Sequence, residues 1–141
     1  MLPLALHGQR EKLPPDDLEW VEKNFPEAKK TSTGLRYVVI ESGAGETAKR
    51  GQMVSMLYVG RLVNGTIFDQ RGDPEKPLKF RLGRHQVIAG WDQIIPLMRP
   101  GDKWLVIIPP ELAYGSRGQP PHIPRSATLV FMMELQAARD E

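Results

Sequence analysis

Five consecutive residues, Val87-Ile88-Ala89-Gly90-Trp91, combine two aliphatic side chains, a glycine that lets backbones approach closely and an indole broad enough to floor a pocket. Downstream come Ala113-Tyr114-Gly115, then Ile123-Pro124 and the apolar run Ala127–Leu135. Together they supply the parts of an apolar pocket with aromatic walls. Tyr58, Phe68, Val87, Ile88, Trp91, Tyr114, Ile123 and Phe131 are candidate walls, and Asp69 and the Tyr114 hydroxyl are candidate polar tips. A site of this kind excludes water and holds a neutral group, and it offers no obvious nucleophile for breaking a bond. A single Trp, Phe or Val on a strand is more often plain core. Tyr114 differs because it sits in a Pro/Gly-rich loop, where a large aromatic is less often needed for packing.

Other chemistries find little support. His7, His85 and His122 stand far apart, without the paired spacing of a metal site. No serine lies in a nucleophile elbow, and Gly43-Ala44-Gly45 lacks the following Lys-Ser/Thr of a phosphate loop. The absence of cysteine removes thiol catalysis, disulfides and thiolate metal ligation. Neither a metal nor a cofactor is expected. The formal net charge is +2, with basic residues scattered, so nucleic-acid binding is not expected either.

The 141 residues fit one domain with an extension, and 40% hydrophobic residues point to a globular chain. No apolar run approaches the ~20 residues needed to span a bilayer. Met1–Leu6 is too short for the core of a signal peptide and lacks a basic lead-in. The expected location is cytoplasmic, or exported if a signal has been removed.

Several elements must position the candidate residues. Residues 1–33 read as an extension. It holds a short helix from Asp16 to Phe25, capped by Asp16 with Glu19 completing a box, and stopped by Pro26. Leu18, Val21 and Phe25 fall on one face, which docks on the domain or on a partner, and 29–33 reads as a linker. Residues 34–141 read as the main domain. Strands are expected at 35–40, 53–62, 78–82, 104–108 and 127–135, with Asn64-Gly65 turning a hairpin into 66–69. Adjacent residues of a regular strand face opposite ways, so Phe68 and Asp69 serve one cleft only if the strand ends or bulges there. Residues 70–77 and 109–126 read as loops. A helix over 88–98 is shortened or bent by Pro96. The class is α+β, antiparallel strands with one short helix packed on a sheet face.

From about Gly34 to Leu135 the chain resembles the FKBP-type peptidyl-prolyl isomerases, the family that binds the macrolides tacrolimus and rapamycin. The matching segments are Arg50-Gly51-Gln52, Tyr58-Val59-Gly60, Asn64-Gly65, Phe68-Asp69, Lys76-Pro77, Phe80, Leu82-Gly83, Val87-Ile88, Gly90-Trp91, Met98, Gly101, Ile108-Pro109-Pro110, Ala113-Tyr114-Gly115, Ile123-Pro124 and Ala127–Phe131. They occur in family order and at family spacing, and their specificity lies in the combination.

The resemblance implies a twisted antiparallel sheet wrapped around one short helix. In it Tyr58, Asp69, Ile88, Tyr114 and Phe131 would form the catalytic set, with the Ile88 amide and the Tyr114 hydroxyl as donors. Phe68, Leu78, Phe80, Val87, Trp91, Gln119, His122 and Ile123 would contact substrate, Trp91 flooring the pocket. It implies a monomeric prolyl isomerase that needs no cofactor, acts on proline-containing polypeptides and is inhibited by tacrolimus or rapamycin. The alternative is a binding module or adaptor that keeps the pocket but has little turnover and docks partners through the 1–33 arm. The chain also departs from the family pattern. Leu78 stands where an aromatic is common, Pro74 where an arginine can pair with the carboxylate matching Asp69 (Arg71 is a candidate substitute), and Gln119 and His122 at loop positions often held by histidine and an apolar residue.

Overall fold

A computed structural model describes residues 10–141. The chain runs through a helix α1 (Pro15–Asn24), strands β1 (Lys29–Lys30), β2 (Arg36–Glu41), β3 (Met53–Leu62), β4 (Ile67–Arg71) and β5 (Leu78–Arg81), a short helix α2 (Ala89–Ile94), and strands β6 (Lys103–Ile108) and β7 (Leu129–Arg139). The strands form one antiparallel sheet in the order β1-β2-β6-β7-β3-β4, with β5 also paired to β3. α2 continues into a single 3-10 turn, Ile95–Leu97. Pro96 can donate no amide hydrogen, so the expected 88–98 helix is cut short.

The central strands carry alternating patterns that bury one face. On β3, Val54, Met56, Tyr58 and Gly60 are buried and face inward. β6 splits its residues between two cores. Trp104, Val106 and Ile108 join the inner cluster with Trp91, Ile94, Phe131 and Met133. Ile107 and Leu105 face outward, where Leu13, Val21, Leu18, Trp20 and Phe25 of the extension cover them. α1 therefore lies on the outer face and α2 against the inner one.

α1 starts differently from the expectation. Pro15 occupies the first helical position, Pro14 precedes it as the N-cap, and no side chain caps the end. Proline's fixed φ suits that first position and its missing N–H costs nothing there. Asp16 consequently falls inside the first turn with Asp17, where both carboxylates complement the helix dipole. Lys29 and Lys30 are a strand rather than a linker, paired antiparallel to Tyr37 and Arg36. The turn between them depends on Gly34, at φ +100, and on the Gly34 amide donating to the Thr31 carbonyl. The last strand runs to Arg139 rather than Leu135. A register shift opposite Ser55/Met56 breaks the alternation after Leu135, yet pairing resumes at Ala137.

Candidate functional site: an aromatic cavity between the sheet and the short helix

Three strands and one helix turn aromatic rings onto a common centre. Trp91, 3% exposed, projects from α2. Tyr58 meets its indole edge-on at 4.9 Å between centroids, and Phe131 of β7 does so at 5.3 Å. Phe68 closes on Phe131 at 5.5 Å, again edge-to-face. Such pairs hold rings at fixed angles and add about 0.5–1.5 kcal/mol each beyond buried area. The hollow they enclose has a volume of about 160 Å³ and is also lined by Asp69, Leu78, Gln86, Val87, Ile88 and Tyr114. Pockets for drug-sized ligands occupy ~300–1,000 Å³. This one suits a single ring-sized side chain, with the rest of any ligand lying across its rim.

Two local features bring the rings together. Gly60 pairs with Asp69, but Arg61 pairs with Ile67, so Phe68 is an extra residue in β4. That bulge turns Phe68 and Asp69, neighbours in sequence, to the same cavity. Gly60 is the second feature. A Cβ there would stand 2.7 Å from the rings of both Phe68 and Phe131, so only glycine lets the two close over β3.

The polar side of the cavity centres on Asp69. The Tyr58 hydroxyl donates to its Oδ2 at 2.8 Å. Burial pushes the Tyr58 phenol well above its ordinary value, and this hydrogen bond and the negative charge of Asp69 add to the effect. Tyr114 is shifted upward as well, first by burial and then by Asp69. Both phenols remain protonated donors at neutral pH. Arg71 does not take the role of a partner for Asp69. Its backbone lies opposite Tyr58 across the β3–β4 ladder, and among the described residues Asp69 makes no ion pair. Tyr58 holds the carboxylate instead.

The rim is held from α2. Asp92 Oδ1 accepts the Gly83 amide at 2.9 Å and Oδ2 the His85 amide at 3.0 Å. These bonds pin the segment that carries Gln86, Val87 and Ile88. Ile88 caps α2, and its carbonyl accepts from Trp91 at 3.0 Å.

Of the thirteen site residues expected from sequence, nine line the cavity: Tyr58, Phe68, Asp69, Leu78, Val87, Ile88, Trp91, Tyr114 and Phe131. Phe80, Gln119, His122 and Ile123 do not. Phe80 is buried behind Trp91 at 5.9 Å as a second layer. Ile123 is buried in the inner core. Gln119 and Ile123 exchange backbone hydrogen bonds of 2.8 and 3.0 Å, and that small loop leaves Gln119 and His122 exposed beyond the cavity. Gln86 and Asp92 were not anticipated. Gln86 is polar and exposed, and only its position beside Val87-Ile88 could have marked it.

The architecture is thus a sheet wrapped around a short helix, with an aromatic cavity between them. The FKBP-type peptidyl-prolyl cis-trans isomerase family matches residues 44–136. The chain is 44% identical over 103 residues to the peptidyl-prolyl cis-trans isomerase Fkbp12 of Drosophila melanogaster, covering 72% of this chain and 95% of that one. It is 47% identical over 106 residues to FK506-binding protein 4 of Rhizopus delemar, a match covering 75% of this chain but only 28% of the relative. A crystal structure of a peptidyl-prolyl cis-trans isomerase from Pseudomonas syringae pv. tomato superposes with a TM-score of 0.78 at 31% identity, over 99% of this chain and 98% of that one. The chain belongs to the FKBP-type peptidyl-prolyl cis-trans isomerases.

Proposed function

We propose that this chain accelerates rotation about X-Pro peptide bonds in flexible or unfolded polypeptides, without covalent chemistry. The observation that carries this reading is the small ring-lined hollow with a Tyr58–Asp69 hydrogen bond at its polar edge. It admits one pyrrolidine ring, with Trp91 beneath it and Phe68, Phe131 and Leu78 around it.

Amide resonance sets a rotation barrier of ~18–20 kcal/mol, and an X-Pro bond exchanges unaided in ~10–100 s at 25 °C. The twisted amide has less charge separation than the planar one. A dry apolar surface therefore favours the twisted form, which is the differential binding that catalysis requires. In this reading the Ile88 amide and the Tyr114 hydroxyl hold the chain flanking the proline. Asp69 and Tyr58 form a fixed polar edge near the rotating carbonyl, and Phe131, Phe68, Leu78, Val87 and Trp91 exclude water. No metal or cofactor takes part in any of these steps.

Tacrolimus and rapamycin would inhibit by seating one ring in the hollow and lying across its rim, and the isomerase acts as a monomer. An exchange assay on a proline tetrapeptide, by NMR or coupled proteolysis, tests the proposal. Acceleration that rapamycin abolishes supports it. Saturable peptide binding with no acceleration over buffer replaces it with the adaptor reading.

A further inference from the structure

Residues 10–17 lie outside the span that the family matches, yet they grip both ends of the loop that carries Tyr114. At its start, Glu111 receives Arg10 at 2.9 Å and Lys12 Nζ at 3.9 Å. Just past its end, the Thr128 hydroxyl donates to Asp17 Oδ2 at 2.7 Å, and Thr128 is 2% exposed. Between these grips the loop is held largely by itself. Ser126 donates to the Gly115 carbonyl, Gly118 to that of Tyr114, and Ile123 is its buried apolar anchor.

A grip is useful only if it is itself anchored, and this one is. Val21 and Leu13 are buried against Ile107 on the outer sheet face. Glu11 Oε1 pairs with Arg36 at 2.8 Å, while its Oε2 accepts the amides of Lys12 and Leu13. Residues 11–13 are thereby tied to β2, and α1 to β6.

We propose that residues 10–17 form a brace that sets the position of Tyr114, with Thr128 and Glu111 as positioning residues for substrate. The proposal rests on the cavity being the substrate site. Thr128 carries most of the effect, because its bond is sheltered and its acceptor charged. The Glu111 pairs are exposed and screened. Tyr114 is a wall as well as a donor, so a small displacement of its loop loosens the grip on the flanking chain.

Thr128→Val keeps the shape and removes the donor. At temperatures where the protein is fully folded, kcat/KM on a proline tetrapeptide is expected to fall about threefold to tenfold, mostly through KM. Thr128→Ser, which restores the hydroxyl, should stay within about twofold of the parent. The Tyr114 ring resonances should shift in Thr128→Val and return in Thr128→Ser. In a Tyr114→Ala background, Thr128→Val should cost nothing further, since the residue it positions is gone. Equal losses in the two backgrounds, unmoved Tyr114 resonances, or a Ser variant as impaired as Val would overturn the brace. Should Tyr114→Ala alone prove fully active, the assignment of the cavity fails, and the brace falls with it.

Discussion

The two faces of one sheet are built to different standards. The inner face packs α2 and a set of rings whose centroids lie 4.9–6.1 Å apart in mostly edge-to-face contacts. The outer face carries a thinner layer, in which Leu13, Val21 and Ile107 are buried and Leu18, Trp20, Phe25 and Leu105 only partly so. β6 supplies both, alternating residue by residue. Inside, geometry is over-determined around a hollow. Outside, burial alone holds the apolar layer, and away from the Asp17–Thr128 and Arg10–Glu111 contacts its side chains can shift without consequence for the cavity. Stability and function should therefore separate by face.

The largest expected effect is on the inner face. Trp91→Ala should lose about 3–5 kcal/mol of stability, because the surrounding rings cannot collapse into the space left. Activity should be lost with it. Phe25→Ala is the matched change on the outer face. Phe25 is half-buried, touches Trp20 edge-on at 5.6 Å and sits at the end of α1 remote from Asp17. It should cost about 1–2 kcal/mol, with kcat/KM within about twofold of the parent. Urea unfolding and the exchange assay measure both quantities. A Phe25→Ala variant as inactive as Trp91→Ala would dissolve the distinction between the faces.

Gly60→Ala is a sharper probe, since it adds one carbon to the inner face. The new Cβ would meet Phe68 and Phe131 at 2.7 Å, well inside contact distance. Overpacking of this kind costs about 1–3 kcal/mol. The rings must part, so the loss of kcat/KM should exceed what the stability change alone would bring. A folded variant with parental activity would show that the rings do not need their observed spacing.

How much of this was legible beforehand differs along the same lines. Strong local signals were readable. β3 falls on residues 53–62, where a period of two puts Val54, Met56, Tyr58 and Gly60 on one face, and Asn64-Gly65 turns the β3–β4 hairpin. The need for a bulge at Phe68-Asp69 followed from strand periodicity alone. The identity of most cavity residues came from spacing over a hundred residues and a family resemblance, because no local pattern separates a cavity ring from a core ring. Features set by tertiary pairing were not readable. Lys29-Lys30 has no apolar alternation, and only the turn at Gly34 places it on β2. Pro15 at the first helical position moved the cap from the expected Asp16 to Pro14, two positions earlier. Ile123 looked like a wall by type and Phe80 was expected at the substrate from the resemblance, and depth, which sequence does not encode, placed both behind the walls.

Tyr58→Phe should act on function more than on stability. It removes a hydrogen bond worth about 0.5–1.5 kcal/mol net, up to ~3 where the acceptor is charged, and leaves the ring packing in place. kcat/KM should fall about tenfold, as the polar edge loses its fixed donor. The raised phenol values of Tyr58 and Tyr114 also predict a pH profile. A folded-state value above the unfolded one, ~10, raised first by burial and then by Asp69, means the stability linked to the protonated phenol is complete below pH ~10 and is lost as pH rises through the folded value. Activity should show no alkaline limb from either tyrosine below about pH 10. A limb near pH 8 that disappears in Tyr58→Phe would contradict the placement of that hydroxyl.

The smallest effect belongs to the outer side, at Glu11. Burial works against its charge, but the Leu13 amide, the Arg36 guanidinium and the Lys12 amide outweigh it and hold its carboxyl below the usual carboxylate value. A lowered folded-state value stabilises the protein above the unfolded value of 4.5, and that contribution disappears as pH falls through the folded one. Arg36 is itself buried, so Glu11→Gln leaves a guanidinium short of its partner. With Glu11 partly exposed, the pair is worth about 0–1 kcal/mol. The melting temperature of Glu11→Gln should therefore sit slightly below the parent at pH 7, and the gap should close as the pH is lowered past 4.5. A gap that stays constant into acid would mean that the Gln substitution disturbs packing rather than charge, and that the ion pair does not hold residues 11–13 against β2.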